Sequence, residues 1–248
     1  MNTDGFYSWA LDKFLNTSAV DHPNTKWFNK CIYGAMSKPE HDRKSNPLIV
    51  GICGNAGTGK DTAVRYMLDP KTMTDIGKIS YKMAFADPIR EIAAIFGFTK
   101  EQMSDRKLKE TEDPFWGFSP RTFMQKVGTE MFRNNLREDI WIQLLVRRIN
   151  EKIAENEKQD FHKGIYFITD VRFPNEAQAI KDIGGYVVKI HRDGYSKTGE
   201  NLHPSEKFVE QIEADLIIEN KASNADEWSF DFTRQLFQFL KHDAFYWN

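Results

Sequence analysis

The chain has 248 residues, 40% of them hydrophobic and 28% charged, with a formal net charge of -2. That length supports one large α/β domain or two small ones around a sizeable core. The near-neutral balance excludes a chain-wide attraction to nucleic acid or to an acidic membrane surface, and no apolar run approaches the ~20 residues that span a bilayer.

Residues 1–46 read as an accessory extension. Their aromatics (Phe6, Tyr7, Trp9 and Phe14, then Trp27, Phe28 and Tyr33) suit short packed helices, and 37–46 is a polar linker. The first residues lack the basic-then-apolar layout of a secretory signal. The two cysteines, Cys31 and Cys53, are too few for a disulfide framework, and Cys53 reads as a small buried thiol. A reducing cytoplasm fits these features.

From Pro47 the pattern becomes regular. Residues 48–53 are a continuous apolar run, which suits a parallel strand buried on both faces. A Gly-rich turn follows, then a helical pattern over 61–68. A second strand is expected over 79–85. A helix then starts near Pro88, carries Ile89, Ile92, Ala93 and Phe96 on one face, and stops at Gly97. The charged stretch 99–120, with Pro114, Gly117 and Pro120, reads as a mobile or irregular insertion.

Residues 121–133 and 139–155 look helical. The second has an apolar stripe of Ile142, Leu145, Ile149 and Ile153. Residues 165–169 form another buried-strand run, and 175–183 a helix closed by Gly184 and Gly185. Strands at 186–190 and 216–219 flank a loop at 192–204, and an aromatic amphipathic helix covers 227–240. Strands alternating with helices argue a parallel sheet with right-handed crossovers.

Gly54-Asn55-Ala56-Gly57-Thr58-Gly59-Lys60 carries the chemistry. Phosphates need a concave set of backbone N–H donors, and glycines let the backbone curl to supply one. A helix beginning at Lys60 aims its positive end at the same anion, and the lysine reaches the β and γ oxygens. The spacing is that of a phosphate loop between a buried strand and a helix. One position departs from the pattern. A Ser or Thr that holds magnesium usually follows the lysine, whereas here Asp61 follows and Thr62 comes next. Asp61 either supports Mg²⁺ through water, positions the lysine, or is a helix-start acid that suits the dipole. The departure counts against a GTPase or motor.

Asp170 stands at the carboxyl end of a strand, where open α/β sheets bind ligands, and Arg172 follows it. The pair serves a metal and a phosphate, or else forms a local ion pair or helix cap. Arg121, Gln125 and Thr129 are spaced four apart and share a face of a continuous helix, with Arg133 and Arg137 beyond. That face is either solvated or a grip for an acceptor phosphate.

These stretches together, with Phe85-Ala86-Asp87-Pro88-Ile89, Asp139-x-Trp141, the run from Asp170 through Arg172 to Glu176, His203-Pro204-Ser205-Glu206 and Ala214-Asp215 followed by Asn220, resemble the bacteriophage deoxynucleoside monophosphate kinases, within the P-loop nucleoside monophosphate kinase superfamily. The likeness runs from about 47 to 223. It implies a five-stranded parallel sheet flanked by helices, an acceptor-binding segment at about 85–141 and a lid at about 192–206. It also implies ATP as donor and Mg²⁺ as the ion.

On this resemblance Lys60, Asp170 and Arg172 act in the transfer, and Asp61 and Asp170 serve the metal. Gly54 to Thr62, Arg192 and Asn220 hold the donor, with Asn220 near its adenine. Phe85, Asp87, Arg121, Gln125, Thr129, Arg133 and Trp141 hold the acceptor, with Phe85 or Trp141 stacking on its base. Expected partners are small nucleotides, with no nucleic acid and no membrane. The extension is a packed accessory or a homodimer contact, and the location is the cytoplasm, that of the host for a phage-encoded chain. The histidines have no metal-ligand spacing. Two other readings stay open: a P-loop kinase for another phosphorylated metabolite, such as phosphomevalonate or dephospho-coenzyme A, and a regulatory ATP-binding module or NTPase without a small acceptor.

Overall fold

The computed structural model describes residues 47–76, 79–158, 164–194 and 208–242. The extension and most of the expected lid lie outside these residues. Five strands form one sheet, all parallel: β1 (Leu48–Cys53), β2 (Ser80–Met83), β3 (Ile165–Val171), β4 (Tyr186–His191) and β5 (Leu216–Glu219). Their spatial order is β2-β3-β1-β4-β5. The strand that feeds the Gly-rich loop is therefore central. The chain leaves β1 for one side of the sheet and later returns to the other, so the carboxyl ends of β1, β3 and β4 open a crevice at the switch point.

All six residues of β1 are buried, as expected for a strand covered on both faces. One face carries Val50, Ile52 and Phe167 under the long carboxyl-terminal helix, from which Trp228, Phe232 and Leu236 descend. The other carries Ile49, Tyr166 and Ile168 under Leu145, Ile149 and Ile180. Each such fully buried side chain contributes about 1.5–3 kcal/mol.

The helices, in chain order, are α1 (Lys60–Ala63), α2 (Pro70–Ile76), α3 (Asp87–Ile95), α4 (Lys100–Ser104), α5 (Pro120–Gln125), α6 (Ile140–Lys158), α7 (Pro174–Asp182) and α8 (Ala225–His242). Several differ from the sequence pattern for identifiable reasons. The helix expected over 61–68 is the single turn α1 followed by a 3₁₀ turn at Tyr66–Leu68. Three residues per turn align Val64 with Met67, and both are fully buried. Strand β2 stops at Met83 because the next amides turn to carboxylates: Ala84 N–H donates to Asp87, and Phe85 and Ala86 N–H donate to Asp170.

The stretch 99–120 is not irregular. Thr99 and Gln102 cap α4 reciprocally, and Asp113 gathers the amides of Phe115 and Trp116. A small core of Ala93, Phe98, Met103, Phe123 and Val127 lies beneath. The segment 121–133 is not one α-helix either: α5 passes at Lys126 into a π-helix, Lys126–Asn134. The wider turn moves Thr129 off the line through Arg121 and Gln125, so the four-residue spacing does not hold across it.

Candidate active site

The phosphate loop is shaped by positive φ at Gly54, Gly57 and Gly59. A Cβ at Gly54 would lie 2.5 Å from the Ile190 carbonyl oxygen, and one at Gly59 2.8 Å from the Trp228 indole nitrogen. Only glycine fits both the dihedral and the space. Thr58, Asn220 and Trp228 set the loop from behind. Thr58 Oγ1 donates to the Asn55 carbonyl at 3.0 Å, Asn220 Nδ2 to the Thr58 carbonyl at 2.9 Å, and Trp228 Nε1 to the Gly59 carbonyl at 2.9 Å. Ala56 and Gly57 form the exposed rim, and Thr62 sits half-buried on the turn after the lysine.

Asn220, expected near an adenine, is buried with its amide donating to the loop. Arg192, with Lys189 and His191, lines the cavity between the loop and β4. Asn55 Nδ2 reaches the Glu210 carboxylate across that cavity at 3.3 Å.

Lys60 folds back over the loop, its Nζ donating to the carbonyls of Gly54 at 2.7 Å and Asn55 at 2.8 Å. Burial, with Arg172 adding repulsion, pushes this ammonium down to about 8 from an ordinary 10.5. The folded chain thus releases the proton near pH 8, which the unfolded chain keeps until about 10.5. A bound triphosphate draws the proton back, so association above that point takes one up. Calorimetry at about pH 8.5, in buffers of different ionisation enthalpy, should show proton uptake on ATP binding; at about pH 6.5 it should vanish. Uptake that persists in Lys60→Ala would assign it elsewhere.

Asp170 is turned to the junction between β2 and α3. Its two oxygens accept the amides of Phe85 and Ala86 at 2.8 and 3.0 Å, which fixes the turn into α3. Burial raises its pKa, opposed by Arg172 and those two amides. Asp61 faces two groups that sequence reading missed. Thr169 Oγ1 donates to its Oδ1 at 3.0 Å, and Lys82 Nζ pairs with the same oxygen at 2.6 Å. Hydroxyl and carboxylate oxygens are the hard ligands that Mg²⁺ takes, so the donor set fits that ion. Among the described residues no group of three or more His, Cys, Asp or Glu side chains forms a further metal cluster.

Arg121, Arg90 and Arg172 gather around Lys109. Arg172 is exposed and makes no hydrogen bond through its guanidinium with a described residue. Its field reaches both Lys60 of the phosphate loop and Lys109. Lys109 is pushed down to about 8, first by burial and then by Arg121, Arg90 and Arg172, with Glu110 opposing. Arg121 is ion-paired with Glu110, and Arg90 with Asp87 at 2.7 Å. Gln125 is half-buried beside Arg121, whereas Thr129 is exposed beyond it. The sequence did not single out Lys109 or Arg90, because one lies in a segment expected to be irregular and the other on an apparently ordinary helix.

Three acceptor assignments change. Trp141 is buried, its indole donating to the Gly128 carbonyl at 2.7 Å, and Phe85 is buried in the same core. Neither ring presents a stacking face. Arg133 is 10% exposed and pairs at 2.7 Å with Glu176, which is 4% exposed. Its guanidinium also lies 3.9 Å over the Phe173 ring. The other Glu176 oxygen accepts the amides of Arg172 and Phe173. Arg133 thus holds the Asp170–Glu176 turn in place and is not free to grip a phosphate. Burial pushes Glu176 up to about 7, against the pull of the Arg172 amide and Arg133. Cys53 is buried and its thiol is pushed up to about 11 by that burial, which fits a structural thiol.

Residues 93–227 match the family model described as Deoxynucleotide monophosphate kinase. A candidate deoxynucleotide monophosphate kinase of Acanthamoeba polyphaga mimivirus is 31% identical over 189 residues, covering 73% of this chain and 93% of the relative. The chain belongs to the deoxynucleotide monophosphate kinase family.

Proteins of that family are phosphotransferases by name, and phage members agree. Deoxynucleoside-5'-monophosphate kinase of Escherichia phage T5 is 27% identical over 221 residues, covering 65% of this chain and 85% of its own length. Among solved structures, dephospho-CoA kinase from Campylobacter jejuni covers 78% of this chain and 97% of its own, at 13% identity and a TM-score of 0.35. No described helix is long and apolar enough to cross a membrane.

Proposed function

We propose that the chain transfers the γ-phosphoryl group of ATP, with Mg²⁺, in line to a deoxynucleoside monophosphate, giving the diphosphate. One observation carries this reading. Arg172, exposed just past the carboxyl end of β3, lies within electrostatic reach of both Lys60 of the phosphate loop and Lys109, which Arg121 also reaches. Two facing phosphates need that arrangement, since phosphoryl transfer depends on positioning and charge neutralisation rather than covalent chemistry.

The loop amides and Lys60 bind the donor phosphates, and Arg172 meets the charge developing on the transferred group. Arg121 exchanges Glu110 for the acceptor phosphate, with Lys109 beside it. Asp61, with Thr169, would hold the metal, which neutralises donor oxygens when bound. The acceptor phosphate is its own nucleophile and is ionised at neutral pH, so no strong base is required. Asp170 keeps the acceptor turn fixed against the donor loop.

Arg121 supplies the test. A planar fork reads phosphate in a way lysine cannot reproduce. Arg121→Lys should weaken deoxynucleoside monophosphate binding by about one to two decades, the scale of one charge-assisted hydrogen bond, and leave ATP binding unchanged. Titration with each nucleotide separately decides it. Unchanged acceptor affinity would place the acceptor elsewhere.

A further inference from the structure

We propose that Lys82 is the resident counter-ion of the metal site: its ammonium holds on Asp61 the place a divalent cation takes, and Thr169 supplies the hydroxyl that the phosphate loop lacks. The inference rests on the kinase reading for the metal's purpose, though not for its test. In a phosphate loop the residue after the lysine normally offers a hydroxyl to magnesium, and a strand acid partners it. Here the two chemistries have exchanged positions. The loop brings the carboxylate of Asp61, and β3 brings the hydroxyl of Thr169, 3.0 Å away and 3% exposed. The acid that follows, Asp170, has each oxygen committed to a backbone amide.

A carboxylate in place of a hydroxyl adds a negative charge beside the loop, which a neighbouring cation can compensate. Lys82 does so. It lies on β2, paired in register with Phe167 of β3, and its side chain reaches to within 2.6 Å of Asp61 Oδ1. Asp61 and Lys82 side chains are 74% and 41% exposed, so the pair is open to exchange with ions from solution. An ammonium and a divalent cation cannot share that oxygen at contact distance without strong repulsion. Metal entry therefore displaces Lys82, and the lysine sets a threshold below which the site stays closed to metal.

The probe is Mn²⁺, followed by the electron-paramagnetic-resonance signal of the free ion, with and without ADP and with no turnover. Lys82→Met should bind Mn²⁺ about tenfold tighter than the native chain, the scale of removing one partly screened like charge. Lys82→Arg, which keeps the charge, should return the affinity to near native. Thr169→Val should bind about tenfold more weakly, and Asp61→Asn in the Lys82→Met background should erase the gain. Circular dichroism confirms that each variant is folded. An affinity in Lys82→Met equal to or below native overturns the proposal, whatever happens to rate. If the Mn²⁺ shifts appear but no monophosphate is phosphorylated, the kinase reading fails and the counter-ion assignment stands.

Discussion

Lys60→Ala should lower phosphoryl transfer by at least about 100-fold, the scale of losing one electrostatic donor aimed at the reacting group. The melting temperature should hold or rise. In the ligand-free chain this ammonium rests on two backbone carbonyls, Gly54 and Asn55, and burial disfavours its charge. Removing it therefore relieves a desolvated cation rather than breaking a support. Single-turnover assays at saturating ATP and a deoxynucleoside monophosphate measure the rate, and calorimetric melting measures the fold. A folded variant with native rate would remove Lys60 from the transfer step.

Arg133→Ala has the opposite signature. It should cost about 3–5 kcal/mol of stability, because it strands the Glu176 carboxylate in the interior. Urea unfolding measures the loss. Pairing Arg133→Met with Glu176→Gln should recover much of it, since the uncompensated charge is then gone. Acceptor affinity, measured on the folded fraction, should fall far less than in Arg121→Lys. A stable Arg133→Ala with abolished acceptor binding would return the residue to the phosphate.

Arg121 and Arg133 show what the sequence can and cannot say about this site. Both are arginines on one segment, twelve residues apart. Each meets an acid, and which pair is buried depends on where Glu176 of α7 and Glu110 arrive, which no local pattern encodes. The phosphate loop was legible because its chemistry is local: glycine positions, lysine and preceding strand lie within thirteen residues, from Leu48 to Lys60. The three inner strands, β1, β3 and β4, were legible for a similar reason, since their apolar runs are mostly buried, whereas the edge strands β2 and β5 are only partly so.

Lys82 and Thr169 were hidden because each is ordinary in its strand and gains meaning only from Asp61 across the sheet. The order of 99–120 had a local sign that composition obscured, the Thr99–Gln102 capping box. The π-helix had none. There the Gly128 carbonyl turns to the Trp141 indole, a contact set by α6.

The ties between the phosphate loop and the carboxyl-terminal part of the chain bear on biosynthesis. Trp228 and Gly59 are 169 positions apart, and Asn220 and Thr58 are 162 apart. A ribosome delivers the loop early and its supports near the end, with domains generally folding as units. The loop's glycines have no conformational preference of their own to hold the cradle meanwhile. A nascent chain that has emerged only as far as α7 therefore carries the whole motif without a competent nucleotide site. A nucleotide bound at the loop would therefore stabilise only a chain in which α8 has already docked.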